Sequence, residues 1–181
     1  SEPENNVNII GEISGNDAKL KSESILLGAH FDSWHSATGA TDNGANCIVL
    51  VEALRILKQI GYEPKRTIKV GLWGGEEQAY LGSAAYAKKH FGDLNENPNI
   101  ASKKIAAYLN LDNGAETFDH YNIPSFQFIQ DDLAYRSATH HTTLDFLEYV
   151  PENDIMKNAV ILAWTIYSLD TMQENIPRKQ K

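Results

Sequence analysis

The 181-residue chain carries 24 acidic and 16 basic side chains, a formal net charge of -8, which argues against a nucleic-acid partner because phosphate binding needs clustered Lys and Arg. Its one cysteine, Cys47, excludes an internal disulfide and any cysteine-built zinc finger. The length suits one domain over residues 1–181 with a real core. No apolar run approaches the ~18 residues of a membrane span, and Ser1 to Asn6 lacks the layout of a signal peptide.

Asn8 to Ile13 alternates loosely, the turn cluster Ser14-Gly15-Asn16-Asp17 follows, and Ser24 to His30 is nearly all apolar. This pattern predicts a hairpin whose second strand is the more deeply buried. From Ala45 to Ile60, Ile48, Val51, Leu54 and Leu57 recur with Val49, Leu50 and Ile56, which predicts a helix stopped at Gly61. Cys47 on that helix reads as a buried structural thiol. Thr67 to Trp73 is a second strand, ending at Gly74-Gly75. Tyr80 to Phe91 reads as a helix packing through Leu81, Ala84, Ala85 and Tyr86, and Asp93 to Asn99 as a polar loop. Ile105 to Leu111 makes a third strand and Ser125 to Gln130 a fourth. Asp131 to Val150 reads as a loop carrying His140 and His141, and Asp154 to Met172 as a closing helix with Ile155, Ala159, Leu162, Ile166 and Leu169 inward. The basic tail from Gln173 to Lys181 reads as frayed. Strands alternating with helices predict an α/β fold, a mixed but mostly parallel sheet covered on both faces.

In such sheets function gathers at the carboxyl ends of the strands. Three strand exits and the loop after the first deliver His30, Asp32, Asp42, Glu76, Glu77 and Asp112, and the late loop brings His141. Imidazole and carboxylate donors together suit a divalent metal. One cation takes His30, Asp42 and Asp112; a neighbour takes Glu77, His141 and the other oxygen of Asp42. Three protein ligands each, with an open position for water, is the arrangement of catalytic zinc, and a bridging carboxylate suits a pair of ions. Glu76 and Glu77 are adjacent and cannot both face one metal from a regular strand, so one binds and the other serves as general base. Asp32, one alternation from His30, is placed to accept its second ring N–H. Against this stand plainer readings: a capped loop with solvated acids, or acids favoured in the first turn of a helix at Glu76-Glu77.

The strings His30-Phe31-Asp32-Ser33-Trp34-His35, Gly39-Ala40-Thr41-Asp42-Asn43-Gly44, Leu72-Trp73-Gly74-Gly75-Glu76-Glu77-Gln78, Leu81-Gly82-Ser83, Asn110-Leu111-Asp112 and Thr139-His140-His141-Thr142 with Asp145 resemble the M28 family of co-catalytic zinc metallopeptidases, its bacterial carboxypeptidase-Q-like members in particular. The resemblance implies a phosphorylase/hydrolase-like three-layer α/β/α sandwich holding two zinc ions. It implies His30, Asp42, Glu77, Asp112 and His141 as zinc ligands, Asp42 bridging, Glu76 as general acid/base and Asp32 orienting His30. It further implies an exported enzyme acting on peptides or dipeptides, with aminopeptidase and dipeptidase action both open. His141 fits the family spacing, with His140 a packing neighbour. His35 and Trp34 either line the cleft or pack. Arg136, beside Tyr135, either receives a substrate carboxylate or makes a surface ion pair, and Arg178-Lys179 reads as solvated charge.

The chain departs from the family between Asp112 and Ser125, where only Asn113 to Pro124 stands for what is normally a further strand, a helix and a glycine-rich segment. A parallel crossover takes at least ~10–12 residues with its helix, so a strand pair has little room there. That shortening keeps a second function open, a metal-binding but catalytically silent domain. A single-zinc glutaminyl cyclase of the same fold is a third.

Overall fold

The computed structural model describes residues 6–94, 99–112, 116–129 and 134–179. Its strands are β1 (Ile9–Ile13), β2 (Ser24–His30), β3 (Thr67–Trp73), β4 (Ile105–Asn110) and β5 (Ser125–Gln127). Its helices are α1 (Ala45–Gln59), α2 (Leu81–Phe91), α3 (Ile100–Lys103), α4 (Glu116–Asp119) and α5 (Glu152–Thr171). The strands form one sheet in the order β1-β3-β2-β4-β5, with β1 antiparallel and the others parallel. The fold is therefore the α/β fold with a mixed, mostly parallel sheet that the sequence predicts.

Every residue of β2 is buried, as the central strand of a sheet covered on both sides must be. Ile25, Leu27 and Ala29 face one layer, where they meet Val49, Leu50 and Leu57 of α1 and Ala159, Leu162 and Ile166 of α5. Leu26 faces the other, among Trp73, Tyr108, Phe91 and Phe118. Alternation of side chains along the strand assigns the two sets. Each buried Leu or Ile contributes about 1.5–3 kcal/mol relative to exposure.

The first two strands do not form the expected hairpin. β1 pairs with β3, because both edges of β2 are taken by parallel neighbours, β3 and β4. The chain after β1 instead turns across the start of β3, where the Asn16 N–H donates to the Pro64 carbonyl at 2.9 Å and a side chain at Gly15 would strike the Lys65 carbonyl oxygen.

Gly61 ends α1 as expected. At φ +70 it donates to the Lys58 carbonyl at 3.1 Å, and Tyr62 donates to Leu57 at 3.0 Å, the paired bonds of a Schellman stop. Of the apolar run in α1, Val49, Leu50 and Leu57 point inward together with Ala53, while Ile48 and Val51 are more than half exposed. Three-residue steps fall short of a helical turn of 3.6 residues, so the run Ile48, Val51, Leu54, Leu57 winds around the helix. In α2 the buried residues are Gly82, Ser83, Ala87 and Phe91, whereas Leu81, Ala84 and Ala85 are exposed. Gly82 faces inward because any side chain there would meet the Gly74 carbonyl oxygen.

The tail is not frayed within the described residues. The Arg178 guanidinium donates to the carbonyls of Ile105 (2.7 Å), Asn122 (2.6 Å) and Lys103 (3.0 Å), and Lys179 pairs with Asp119. Carbonyls at the end of a helix have no partner inside it, and a guanidinium presents enough donors to serve several. The expected solvated charge is thus a clamp. The 131–150 loop also contains structure, a wide helical turn over Tyr135–Thr139 and a short 3₁₀ turn over Leu147–Tyr149. Positions 95–98 of the expected polar loop, Asn113 and Gly114 of the shortened junction, Gln130 of the expected fourth strand and residues 131–133 lie outside the described residues. Among the described residues no helix is long and apolar enough to cross a membrane.

Candidate metal centre

The parallel register aligns His30 at the end of β2 with Trp73 at the end of β3, and Gly28 with Asn110 of β4. The segments leaving the three strands therefore start side by side. His30 is 2 % exposed; its Nε2 lies 3.1 Å from Asp42 Oδ1, 3.0 Å from Asp112 Oδ2 and 3.8 Å from Glu76 Oε2. On the other side of Asp42, His141 Nε2 lies 3.8 Å from Asp42 Oδ2 and 2.9 Å from Glu77 Oε2. The two carboxylate oxygens of Asp42 thus face two different imidazoles. A cavity of about 250 Å³ opens over this group, lined by Asp42, Glu76, Glu77, Asp112, Tyr135 and His141 among others.

Asp32 reaches His30 with two oxygens. Its backbone carbonyl accepts from Nδ1 at 3.0 Å and its carboxylate lies at 3.5 Å. That carboxylate also accepts the backbone N–H groups of Glu76 (3.1 Å) and Glu77 (3.3 Å). One residue so fixes both the tautomer of His30, through its backbone carbonyl, and the turn that splits the two glutamates, through its carboxylate. Gly75 precedes that turn at φ +70, a conformation that costs a glycine little.

The electrostatics are those of a site that attracts positive charge. Burial alone would lower the His30 pKa, yet its contacts with Asp112 and Asp42 override burial and raise it to about 11. Burial pushes the Glu76 carboxyl up to about 7, aided by Asp112, Glu77 and Asp42, and burial with the Asp42 charge also raises Glu77. Among the described residues no Lys or Arg forms an ion pair with any of these acids. Glu77 Oε1 is buried without a hydrogen-bond partner, an expensive state for a carboxylate oxygen unless a cation meets it. Ligand atoms of His30, Asp42 and Asp112 lie within 4.8 Å of one another, as do those of His30, Glu76 and Glu77 and those of Asp42, His140 and His141. Imidazole and carboxylate donors at such separations fit zinc.

His140 stacks on His141 (centroids 4.0 Å) and against Tyr135 (4.9 Å), so its ring packs in the loop beside the site. Cys47 is half-buried, and its thiol donates to the His30 carbonyl at 3.0 Å. Burial, then Asp112 and Asp32, pushes its pKa up to about 12, consistent with a structural thiol.

Several residues support the centre in roles that the sequence does not disclose. Tyr135 donates its hydroxyl to Asp42 Oδ2 at 3.2 Å. Asp145, 3 % exposed, receives the N–H groups of Thr41 and Asp42. Beneath Asp112 runs a chain of buried hydrogen bonds. Trp73 Nε1 donates to the Tyr108 hydroxyl (3.0 Å), which donates to Asn110 Oδ1 (2.6 Å), and Asn110 Nδ2 donates to the Asp112 carbonyl (2.5 Å). The only trace of that chain in the sequence is Gly28, where any side chain would collide with Tyr108 and Trp73.

The sheet, the strand-exit donors and the acidic cavity define an α/β protein with a metal-type centre. The model of peptidase family M28 matches residues 8–136, and the chain belongs to that family. Carboxypeptidase Q of Rattus norvegicus is 24% identical over 204 residues, covering 94% of this chain and 43% of that protein. Among solved structures, the peptidase M28 precursor of Shewanella amazonensis aligns with TM-score 0.77 and 26% identity over 96% of this chain and 47% of that one. BSAP, a zinc aminopeptidase from Bacillus subtilis, aligns with TM-score 0.74 and 20% identity over 93% of this chain and 51% of that one. The chain thus spans about half the length of these proteins or slightly less.

Proposed function

We propose that this chain is the catalytic unit of a zinc-dependent exopeptidase that removes N-terminal residues or splits dipeptides. The observation that carries the reading is the pair of imidazoles, His30 and His141, facing opposite oxygens of one buried carboxylate, Asp42, in a chain of peptidase family M28. In this reading His30, Asp42 and Asp112 hold one zinc ion, and Asp42, Glu77 and His141 hold a second. Bound there, the ions supply Lewis-acid polarisation of a peptide carbonyl and a water of lowered pKa. Glu76 accepts the proton of the attacking water and returns it to the departing amine. Asp32 keeps His30 in one tautomer and holds Glu76 over the cavity through its backbone N–H. The excess of carboxylates in the cavity favours a substrate with a free α-ammonium group, hence action at N-termini. The reading includes an exported enzyme, supported by kinship with peptidase family M28.

The test is incubation of the purified chain with amino-acyl nitroanilides and dipeptides, with and without added zinc. Zinc-dependent release of N-terminal residues is expected. The short connection between β4 and β5 favours one second reading, a metal-binding but silent domain. Uptake of two metal ions with no hydrolysis of any substrate supports that reading and overturns the first.

A further inference from the structure

Trp34 follows the β2 exit by four residues and projects to the rim of the centre, 37 % exposed. Its indole lies on the imidazole of His141 with ring centroids 4.5 Å apart and planes 8° from parallel. His140 stacks on the same imidazole at 4.0 Å. A five-membered ring has no room for two stacked partners on one face, so His141 is held between the two. His35 meets the indole edge-on at 5.2 Å.

His141 needs such a clamp more than His30 does. His30 ends a fully buried strand, and its ring is fixed by burial and by Asp32. His141 sits in a loop, its side chain is 40 % exposed, and its backbone adopts φ +55, a region that residues other than glycine rarely occupy. Neither regular structure nor burial selects its rotamer. The rings on its two faces do so, and they leave the ring edge, where Nε2 lies, directed toward Glu77 and Asp42.

We infer that Trp34 is a positioning residue, an aromatic wall that holds His141 in its metal-binding orientation and so sets the affinity of the second cation position without touching the ion. The inference rests on the reading of His141 as a ligand. Groups that orient a metal-binding imidazole typically change affinity by about 10–100-fold when removed. A flat ring on the imidazole face also favours the partial positive charge that the ring acquires when it binds a cation.

The experiment is zinc titration, with a competing chelator, of the wild type, Trp34→Ala, Trp34→Phe and His141→Ala, with circular dichroism to confirm the fold. The wild type is expected to bind two zinc ions. Trp34→Ala should weaken one of the two affinities at least tenfold and leave the other within about twofold. Trp34→Phe, which keeps a flat ring, should restore most of the loss, and His141→Ala should abolish the same position. Zinc should also change the tryptophan fluorescence of the wild type, and by clearly less in Trp34→Phe, where only Trp73, joined to Asp112 through Tyr108 and Asn110, is left near the centre and Trp164 lies on the outer face of α5. Zinc affinities unchanged in Trp34→Ala but lost in His141→Ala would overturn the inference and leave the ligand reading standing. The same result with a raised KM would assign Trp34 to substrate contact instead. Wild type without a second zinc ion, or with one that His141→Ala leaves intact, would overturn both.

Discussion

The Asp145 carboxylate holds the backbone of Asp42 from 103 residues away. Its Oδ2 accepts the Asp42 N–H at 2.9 Å, and its Oδ1 accepts the Thr41 N–H at 2.6 Å and the Thr41 hydroxyl at 2.8 Å. The late loop that carries His141 is thereby tied to the early loop that carries Asp42. Asp145→Asn replaces an acceptor-only group with one that presents an N–H to backbone N–H donors. Zinc affinity should fall by about 10–100-fold, and kcat should fall with it, while far-ultraviolet circular dichroism stays that of the wild type. Equal zinc affinities in the two proteins would show that the tie is dispensable.

Glu76 stands apart from the other acids of the centre in its assigned role. Glu76→Gln keeps size and shape but removes the charge and with it the ability to take up a proton. Metal content should be unchanged and kcat should drop by about 10²–10⁴-fold. Turnover at the wild-type rate in a variant with full metal content would remove Glu76 from the mechanism.

The hydrogen-bond chain beneath Asp112 depends on the absence of a side chain at Gly28. In Gly28→Ala the new Cβ would fall 2.1 Å from the Tyr108 hydroxyl and 2.5 Å from Trp73 Nε1, and β2 cannot move because both of its edges are paired. Overpacking of this kind costs about 1–3 kcal/mol. Urea unfolding should show that loss, together with weaker zinc binding at the Asp112 position. A variant as stable as the wild type would mean that the aromatic pair yields easily.

Far from the centre, Asp170 ties α5 to the start of β3. Fully buried, it accepts from the Tyr62 hydroxyl (2.6 Å) and from the backbone N–H groups of Lys65 and Arg66 (2.7 Å each). The Arg66 guanidinium, equally buried, pairs with Glu23 at 2.8 Å and donates to the Asp170 carbonyl at 3.0 Å. Asp170→Ala strands three donors and should cost about 3–5 kcal/mol, read as a lower midpoint in denaturant. Zinc stoichiometry in the folded fraction should not change, because the network lies at the opposite end of the strands.

What the sequence disclosed and what it hid divide along physical lines. Strands such as Ser24 to His30 were legible because burial on both faces writes a continuous apolar run. The side chains that converge on the cavity were legible because they fall where those runs stop or just beyond, at His30, Glu76-Glu77 and Asp112. Strand pairing was not: nothing in Asn8 to Ile13 tells that β1 crosses to β3, since that choice depends on which sheet edge the parallel strands leave open. Helix faces were blurred where three-residue spacing imitated a stripe, as at Ile48 and Val51. The supporting roles of Asp145, Tyr135 and Asn110 were hidden, although Asp145 and Asn110 stand within the family motifs, because each acts through contacts made only on folding. Arg178 looked like solvated charge for the same reason, its partners being backbone carbonyls with no sequence signature.

The central claim is that two cations sit on either side of Asp42. Anomalous diffraction at the zinc absorption edge, from crystals of the protein loaded with zinc, tests it most directly. Two peaks are expected within bonding reach of opposite oxygens of Asp42, about 3.5–4 Å apart, one beside His30 and Asp112 and the other beside Glu77 and His141. A single peak, or peaks that leave His141 or Asp112 without a zinc neighbour, would contradict the account.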